Sequence, residues 1–307
     1  MDEIPATPDP WTLYWQADHL QSCVPADGSH PPESLDRLWG NFARNLPANA
    51  RVLDLATGNG AVPMSLRGAV PTLEVTGADH AAIAPQRHLS RPGPLQNVRF
   101  VGGVDLRRPT ELGRFDAVTS QYGVEYLGID AAAEAVAGHL APGARFLLLV
   151  HVSDSALVVP READLHELEV LMDDGPVADL EALLAGELEG PALESRTRSF
   201  LDRDLRRTRH LSGQVVGGVD RILKLIESDQ GEAARLFSAR LVTRVRAERA
   251  RLEQLLGAAL TPEELDRLVK CLTAQGLACD PPRSLSTDPG DGGHLLGAVL
   301  EGSCRSS

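Results

Sequence analysis

The stretch VLDLATGNGAV, Val52 to Val62, sets an acid, Asp54, near the end of an apolar run and follows it with two glycines, Gly58 and Gly60. Val52, Leu53 and Leu55 suit a buried strand, while the two glycines can adopt the left-handed backbone that lets a main chain come close to a ligand. The turn opens a helix, whose free N–H groups favour anionic or polar ligand groups. That spacing points to a nucleotide-type cofactor. A dinucleotide fingerprint counted from Gly58 needs a third glycine at position 63, where Pro63 stands. With its acid ahead of the glycines, the turn suits hydroxyl or ammonium donors better than a diphosphate, which disfavours a nicotinamide dehydrogenase.

The elements that must position this turn follow from periodicity. Leu35, Leu38, Phe42 and Leu46 recur at helical spacing up to Pro47. Strand and helix signals then alternate, with strands expected at 52–55, 73–77, 98–101, 115–120 and 145–151, which means a parallel sheet. A helix capped by Asp130 fills the gap before the Pro142-Gly143 turn. From about 160 to 258 strand signal disappears. Leu165, Leu168 and Met172, then Leu180, Leu183 and Leu184, then Val219, Leu223 and Ile226 mark helices, and Leu236, Leu241, Val245, Leu252 and Leu256 mark a long one. Thr261-Pro262-Glu263-Glu264 reads as a capping box with proline in the first turn. Residues 276–279 and 294–300 read as two closing strands split by a loop over 281–293. The expected domains are an N-terminal arm (1–34), a sheet core (35–159), an all-α insertion (160–258) and a C-terminal completion of the core (259–307).

Composition narrows the function classes. The chain has 307 residues, 43% of them hydrophobic, enough for a sizeable core. A formal net charge of −13 disfavours a nucleic-acid partner. The basic run Arg196, Arg198, Arg203, Arg206, Arg207 and Arg209 reads as a solvated helix face. Cys23, Cys271, Cys279 and Cys304 form no CxxC pair and no disulfide scaffold, so reduced thiols in a cytoplasmic protein are expected. The start MDEIPATPDP lacks a signal-peptide pattern, no window approaches a membrane span, and no His, Cys and carboxylate cluster has metal-ligand spacing.

Taken in order, these segments resemble the class I S-adenosylmethionine-dependent methyltransferases, well over 35–151 and loosely over 262–301. Asp54-Leu55-Ala56-Thr57-Gly58-Asn59-Gly60 matches the family's acid-x-Gly-x-Gly-x-Gly turn, with alanine for the first glycine. The resemblance implies a Rossmann-like α/β fold: a seven-stranded, mostly parallel sheet with helices on both faces, plus the all-α insertion after the fifth strand. It also implies S-adenosyl-L-methionine as cofactor, with S-adenosyl-L-homocysteine as product. Asp79 would then bind the ribose hydroxyls, with His80 as a wall beside it, and Asp105 and Leu106 would lie near the adenine. Ser120, Gln121 and Tyr122, in FDAVTSQY, would flank the methionine portion, and Asp54 would order the turn near the ligand ammonium. LAPGARFLLL resembles the family's Pro-Gly turn into the fifth strand. Tyr14 and Trp15 on the arm, with Tyr122, are expected to cover the cofactor or acceptor.

An activated methyl donor needs mainly alignment and exclusion of water. Where the acceptor is a hydroxyl or protonated amine, a base must take its proton, and His151 and Glu125, just past the fifth and fourth strands, are the candidates. Ser120-Gln121-Tyr122-Gly123 lacks the Asn/Asp-Pro-Pro-Tyr signature of methylases acting on exocyclic amino groups of DNA. The expected activity is methyl transfer to oxygen or nitrogen of a small molecule, and the insertion is a lid or a homodimer contact. The alternative is a cofactor-binding protein that regulates or assembles without transferring a methyl group.

Overall fold

A computed structural model describes residues 9–17, 19–22, 33–89, 93–108, 110–204, 210–288, 290 and 292–305. Its chain contacts form two compact units. One holds Trp11–Val159 with Leu255–Ser307, and the other holds Pro160–Gln254.

The first unit begins with α1 (Pro10–Gln16) and α2 (Glu33–Arg44). Leu35, Leu38, Trp39, Phe42 and Ala43 share the buried side of α2, while Glu33 and Asp36 in its first turn and Arg44 in its last complement the helix dipole. Then come β1 (Arg51–Leu55), α3 (Ala61–Ala69), β2 (Glu74–Ala78), β3 (Arg99–Val101), β4 (Phe115–Gln121), α4 (Ile129–His139) and β5 (Leu140–Val150). After the helical unit the chain returns through α10 (Pro262–Ala274), β6 (Leu277–Cys279), β7 (Arg283–Ser286) and β8 (Leu295–Cys304). The sheet order is β3-β2-β1-β4-β5-β8-β6, with β7 also paired to β8. Strands β1 to β5 pair in parallel and β8 runs antiparallel to β5. Helices cover both faces. Leu53, Val118, Phe146 and Leu148 pack in one core with residues of α4 and α10, and Val52, Val75, Ala117 and Leu147 pack in another with residues of α2 and α3.

The architecture is the expected Rossmann-like α/β one, with local corrections. The loop expected over 281–293 contains β7, so the sheet has eight strands rather than seven. Arg283 to Ser286 pair with β8 from Val299 to Leu295, a long-range partner that flanking prolines hide from local pattern. The Pro142-Gly143 turn lies within β5 as an irregularity: Phe115 pairs with Leu140 and Ala117 with Arg145, while Gly143 takes φ 77°. Asp130 is not the N-cap of α4. Gly128 holds that place without a side-chain cap, and Asp130 in the first turn receives Arg267 at 2.8 Å. The Thr261 capping box with Glu264 forms as expected, ahead of Pro262.

The second unit contains α5 (Val159–Asp173), α6 (Pro176–Ala185), α7 (Gly190–Asp204), α8 (His210–Glu227) and most of α9 (Gly231–Ala258). Leu168, Leu171, Leu180, Leu193, Val219, Ile222 and Leu252 form its separate core. Helix α7 has no counterpart in the sequence reading, because its Leu193 and Phe200 are too sparse to set a period. Leu236, expected on the buried side of α9, is 52% exposed. Arg196 pairs with Asp179 and Arg198 with Glu194 on the helix surface, while Arg206, Arg207 and Arg209 lie outside the described residues, as does Cys23. Cys271, Cys279 and Cys304 are free, half-buried thiols. Among the described residues no helix is long and apolar enough to cross a membrane, and no group of three or more His, Cys, Asp or Glu could hold a metal.

Candidate functional site

The carboxyl ends of β1, β2, β4 and β5 carry the residues that the sequence singles out. Gly58 and Gly60 take φ 53° and 101°, the left-handed conformations their type allows. Ala56 also lies there, at φ 54°, where an L side chain costs on the order of 1 kcal/mol. Its methyl is accommodated by Gly123: a Cβ on Gly123 would lie 2.3 Å from the Ala56 Cβ. The small residue missing from the first turn is thus supplied by the turn after β4.

Two carboxylates organise the turn. Asp79 Oδ2 accepts the Gly58 N–H at 2.7 Å and Oδ1 accepts the Ala81 N–H at 2.8 Å, so one side chain ties the β1 turn to the β2 turn. Asp54 is buried at the end of β1, and its Oδ1 accepts the Thr119 hydroxyl at 2.8 Å. The Thr57 hydroxyl lies near it without a completed hydrogen bond, and Asp54 Oδ2 has no partner. Burial pushes the Asp54 carboxyl up to about 7; Thr57 and Thr119 oppose that rise and the Asp79 carboxylate adds to it. A ligand cation at this point would favour the ionised form.

Other expected cofactor residues have different duties. Asn59 is fully buried and acts as a latch: its Nδ2 donates to the carbonyls of Trp15 (2.9 Å) and His19 (2.6 Å), while its Oδ1 accepts the Ala84 N–H at 2.8 Å. Ser120 Oγ donates to the Leu55 carbonyl at 2.8 Å, and Gln121 Oε1 accepts the Trp39 indole N–H at 2.6 Å. These polar tips pin β4 to β1 and α2, leaving main chain and turn geometry as their contribution. The sequence reading passed over Trp39, the partner of Gln121, and Thr119, the partner of Asp54; an indole and a hydroxyl carry no local signal of such contacts. His80 is exposed. Asp105 is exposed too, accepting the Arg107 N–H at 3.1 Å and pairing with Arg108, while Leu106 is buried in the core.

The arm reaches this edge. Trp15 is buried, and a Cβ on Gly58 would lie 2.5 Å from its ring, so the absence of a side chain there seats the indole. Tyr14 donates its hydroxyl to the Gln21 carbonyl at 3.1 Å and stacks on His19. Thr12 Oγ1 accepts the Ala82 N–H at 3.0 Å.

His151 and Glu125, chosen separately from their positions, form a pair. Glu125 Oε1 lies 2.8 Å from His151 Nδ1 and accepts the His151 main-chain N–H at 3.0 Å, and both side chains are fully buried. The Tyr122 ring stacks on the imidazole at 4.3 Å, held by its own hydroxyl on the Leu296 carbonyl at 3.2 Å. Tyr126 meets the imidazole edge at 6.1 Å. Such restraint fixes the orientation of a proton acceptor.

Among the described residues, four of the buried oxygens without a hydrogen-bond partner are Asp54 Oδ2, Thr57 Oγ1, Glu125 Oε2 and Ser155 Oγ. All lie at or just past the ends of β1, β4 and β5. Buried polar atoms are nearly always paired, so their collection along one sheet edge marks a place where polar ligand groups are wanted.

No family model matches the chain. Over 120 residues it is 37% identical to the demethylmenaquinone methyltransferase of Thermus thermophilus, a match covering 37% of this chain and 54% of that enzyme. The chain thus matches about half the length of this curated relative. Among solved structures, the Bacillus subtilis YcgJ protein is 16% identical, with 90% of this chain and 99% of that one covered, at a TM-score of 0.44. An O-methyltransferase family protein from Burkholderia thailandensis is also 16% identical, covering 89% of this chain and 57% of that one, at a TM-score of 0.41. Overlaps of this size leave the fold to be read from the chain's own strand order.

Proposed function

We propose that this chain is a class I S-adenosylmethionine-dependent methyltransferase and that it transfers a methyl group from S-adenosylmethionine to an oxygen or nitrogen of a small molecule. The observation that carries this reading is the row of unpartnered buried oxygens along the sheet edge, beginning with Asp54 Oδ2. The residues fit the cofactor. Asp54 Oδ2 offers an anionic partner to the ligand ammonium, and the Asp79 carboxylate at the end of β2 is the acceptor for the ribose hydroxyls. Asp105 and Leu106 stand on the adenine side, with Ser120 and Gln121 lending main chain to the methionine portion. The sulfonium, when bound, supplies an already activated methyl group. What the chain must add is alignment, dryness and a route for the acceptor's proton.

Trp15 and Tyr14 exclude water at the β1 turn, and His151 takes the acceptor proton. Glu125, 2.8 Å from Nδ1, orients the ring and stabilises the imidazolium that forms.

The test is incubation of the full chain with S-adenosylmethionine bearing a deuterated methyl group and a pool of small metabolites. A product heavier by the labelled methyl, formed together with S-adenosylhomocysteine, is expected. Tight cofactor binding with no labelled product from any acceptor would instead mark a binding protein without transfer.

A further inference from the structure

A cleft separate from the candidate site lies between α2 and the strands β5, β7 and β8. It encloses about 350 Å³, at the small end of the range for small-molecule sites, and none of the residues assigned above to the cofactor or the acceptor proton lines it. One wall is a stripe at helical spacing along α2 and just past its end: Ser34, Leu38, Asn41 and Asn45. In the facing wall, strand alternation puts Arg283 on the same face of β7 as Leu285, and Glu301 on the same face of β8 as Val299. Leu285 and Val299 pack in the core under α2, which turns both charged residues toward that helix. The apolar floor, Leu38, Phe42, Leu147 and Leu285, is itself nearly buried, so the surface left in the cleft is mainly polar.

Two groups of this lining are unsatisfied. Ser34 is only 7% exposed, and its Oγ has no hydrogen-bond partner. Buried hydroxyls are nearly always paired, so this one marks a bond that the protein does not supply. The charges are unbalanced as well. Asp288 pairs with Arg37, and Glu301 pairs with Arg145 at 2.6 Å. Among the described residues Arg283 has no acid partner, in a chain whose formal net charge is −13. One uncompensated guanidinium matches one carboxylate, which its planar fork can hold through two N–H groups. The amides of Asn41 and Asn45 and the hydroxyls of Ser34 and Ser286 are neutral groups that both donate and accept, as a polyol requires.

We propose that this cleft binds a small polyhydroxylated carboxylic acid, with its carboxylate on Arg283 and its hydroxyls on Ser34, Asn41, Asn45 and Ser286. The site is independent of the methyl-transfer reading, because it shares no residue with the cofactor edge. A purely apolar acid would leave the amides and hydroxyls unmatched, and an uncharged polyol would leave the guanidinium unmatched.

Titration calorimetry of the full chain with gluconate, quinate, hexanoate and sorbitol tests each part. Gluconate or quinate should bind saturably at one site, and hexanoate and sorbitol at least tenfold more weakly. Arg283→Gln should weaken the hydroxy acid at least tenfold, whereas Arg99→Gln, which removes the same charge from exposed β3, should leave it within twofold. Ser34→Ala should weaken it at least threefold without lowering Tm, since the lost hydroxyl has no partner in the protein. Saturating S-adenosylhomocysteine should leave its affinity within twofold. No binding of either hydroxy acid, equal binding of hexanoate or sorbitol, or an unchanged Arg283→Gln or Ser34→Ala variant would overturn the assignment. So would competition by S-adenosylhomocysteine, which would move the acid to the cofactor edge. None of these failures bears on methyl transfer.

Discussion

His151→Ala is expected to lower kcat by about a hundred- to ten-thousand-fold, the usual contribution of a positioned general base. Affinity for S-adenosylhomocysteine should change by less than twofold, because the proposed role puts the imidazole on the acceptor side of the edge. Glu125→Gln should be milder, lowering kcat by about ten- to a hundred-fold and distorting its dependence on pH. In the proposed role that carboxylate works through its contacts with His151, Nδ1 at 2.8 Å and the main-chain N–H at 3.0 Å, rather than on the acceptor. Steady-state kinetics with an identified acceptor, alongside calorimetric cofactor binding, distinguishes the roles. An alanine variant within threefold of the parent in kcat would remove His151 from the chemistry.

Asp79→Ala is expected to weaken cofactor binding by about 1.5 to 3 kcal/mol, roughly ten- to a hundred-and-fifty-fold, if the carboxylate meets the ribose hydroxyls. The same change frees the N–H groups of Gly58 and Ala81 and should lower Tm, since both turns lose their common acceptor. Asp79→Asn, which keeps one acceptor oxygen, should fall between the two. Circular dichroism confirms folding, and titration calorimetry gives the affinity. An unchanged dissociation constant in the alanine variant would take Asp79 out of the site.

Much of this edge was legible because local chemistry dictates it. Gly58 and Gly60 take positive φ as their spacing requires, and the strand ends that carry Asp54, Asp79 and Glu125 follow from short apolar runs bounded by polar turns. What escaped depends on contacts between distant segments. Ala56 departs from the glycine pattern without harm because Gly123, far along the chain, makes room for its methyl. The partnership of Glu125 with His151 exists only because β4 and β5 are neighbours in the sheet, from Ala117 beside Arg145 to Gln121 beside Leu149. Asn59 has the composition of a ligand contact, yet its amide is consumed by the arm and by Ala84. Strand β7 was missed for a similar reason: Arg-Ser-Leu-Ser has little strand signal until β8 lies beside it.

The turn that opens on Asp54 offers the most direct test. Burial holds this carboxyl up to about 7 while one of its oxygens stays unpartnered, so a ligand ammonium placed there must bind the ionised form. Below that pH, binding has to expel a proton, which weakens it; above, the charge is already present. A calorimetric titration of the full chain with S-adenosylhomocysteine at about pH 6 and about pH 8 is therefore decisive. The expected result is saturable one-to-one binding, roughly five- to tenfold tighter at the higher pH. No binding at either pH would contradict the cofactor site itself, and equal affinity at both would contradict the place given to Asp54 within it.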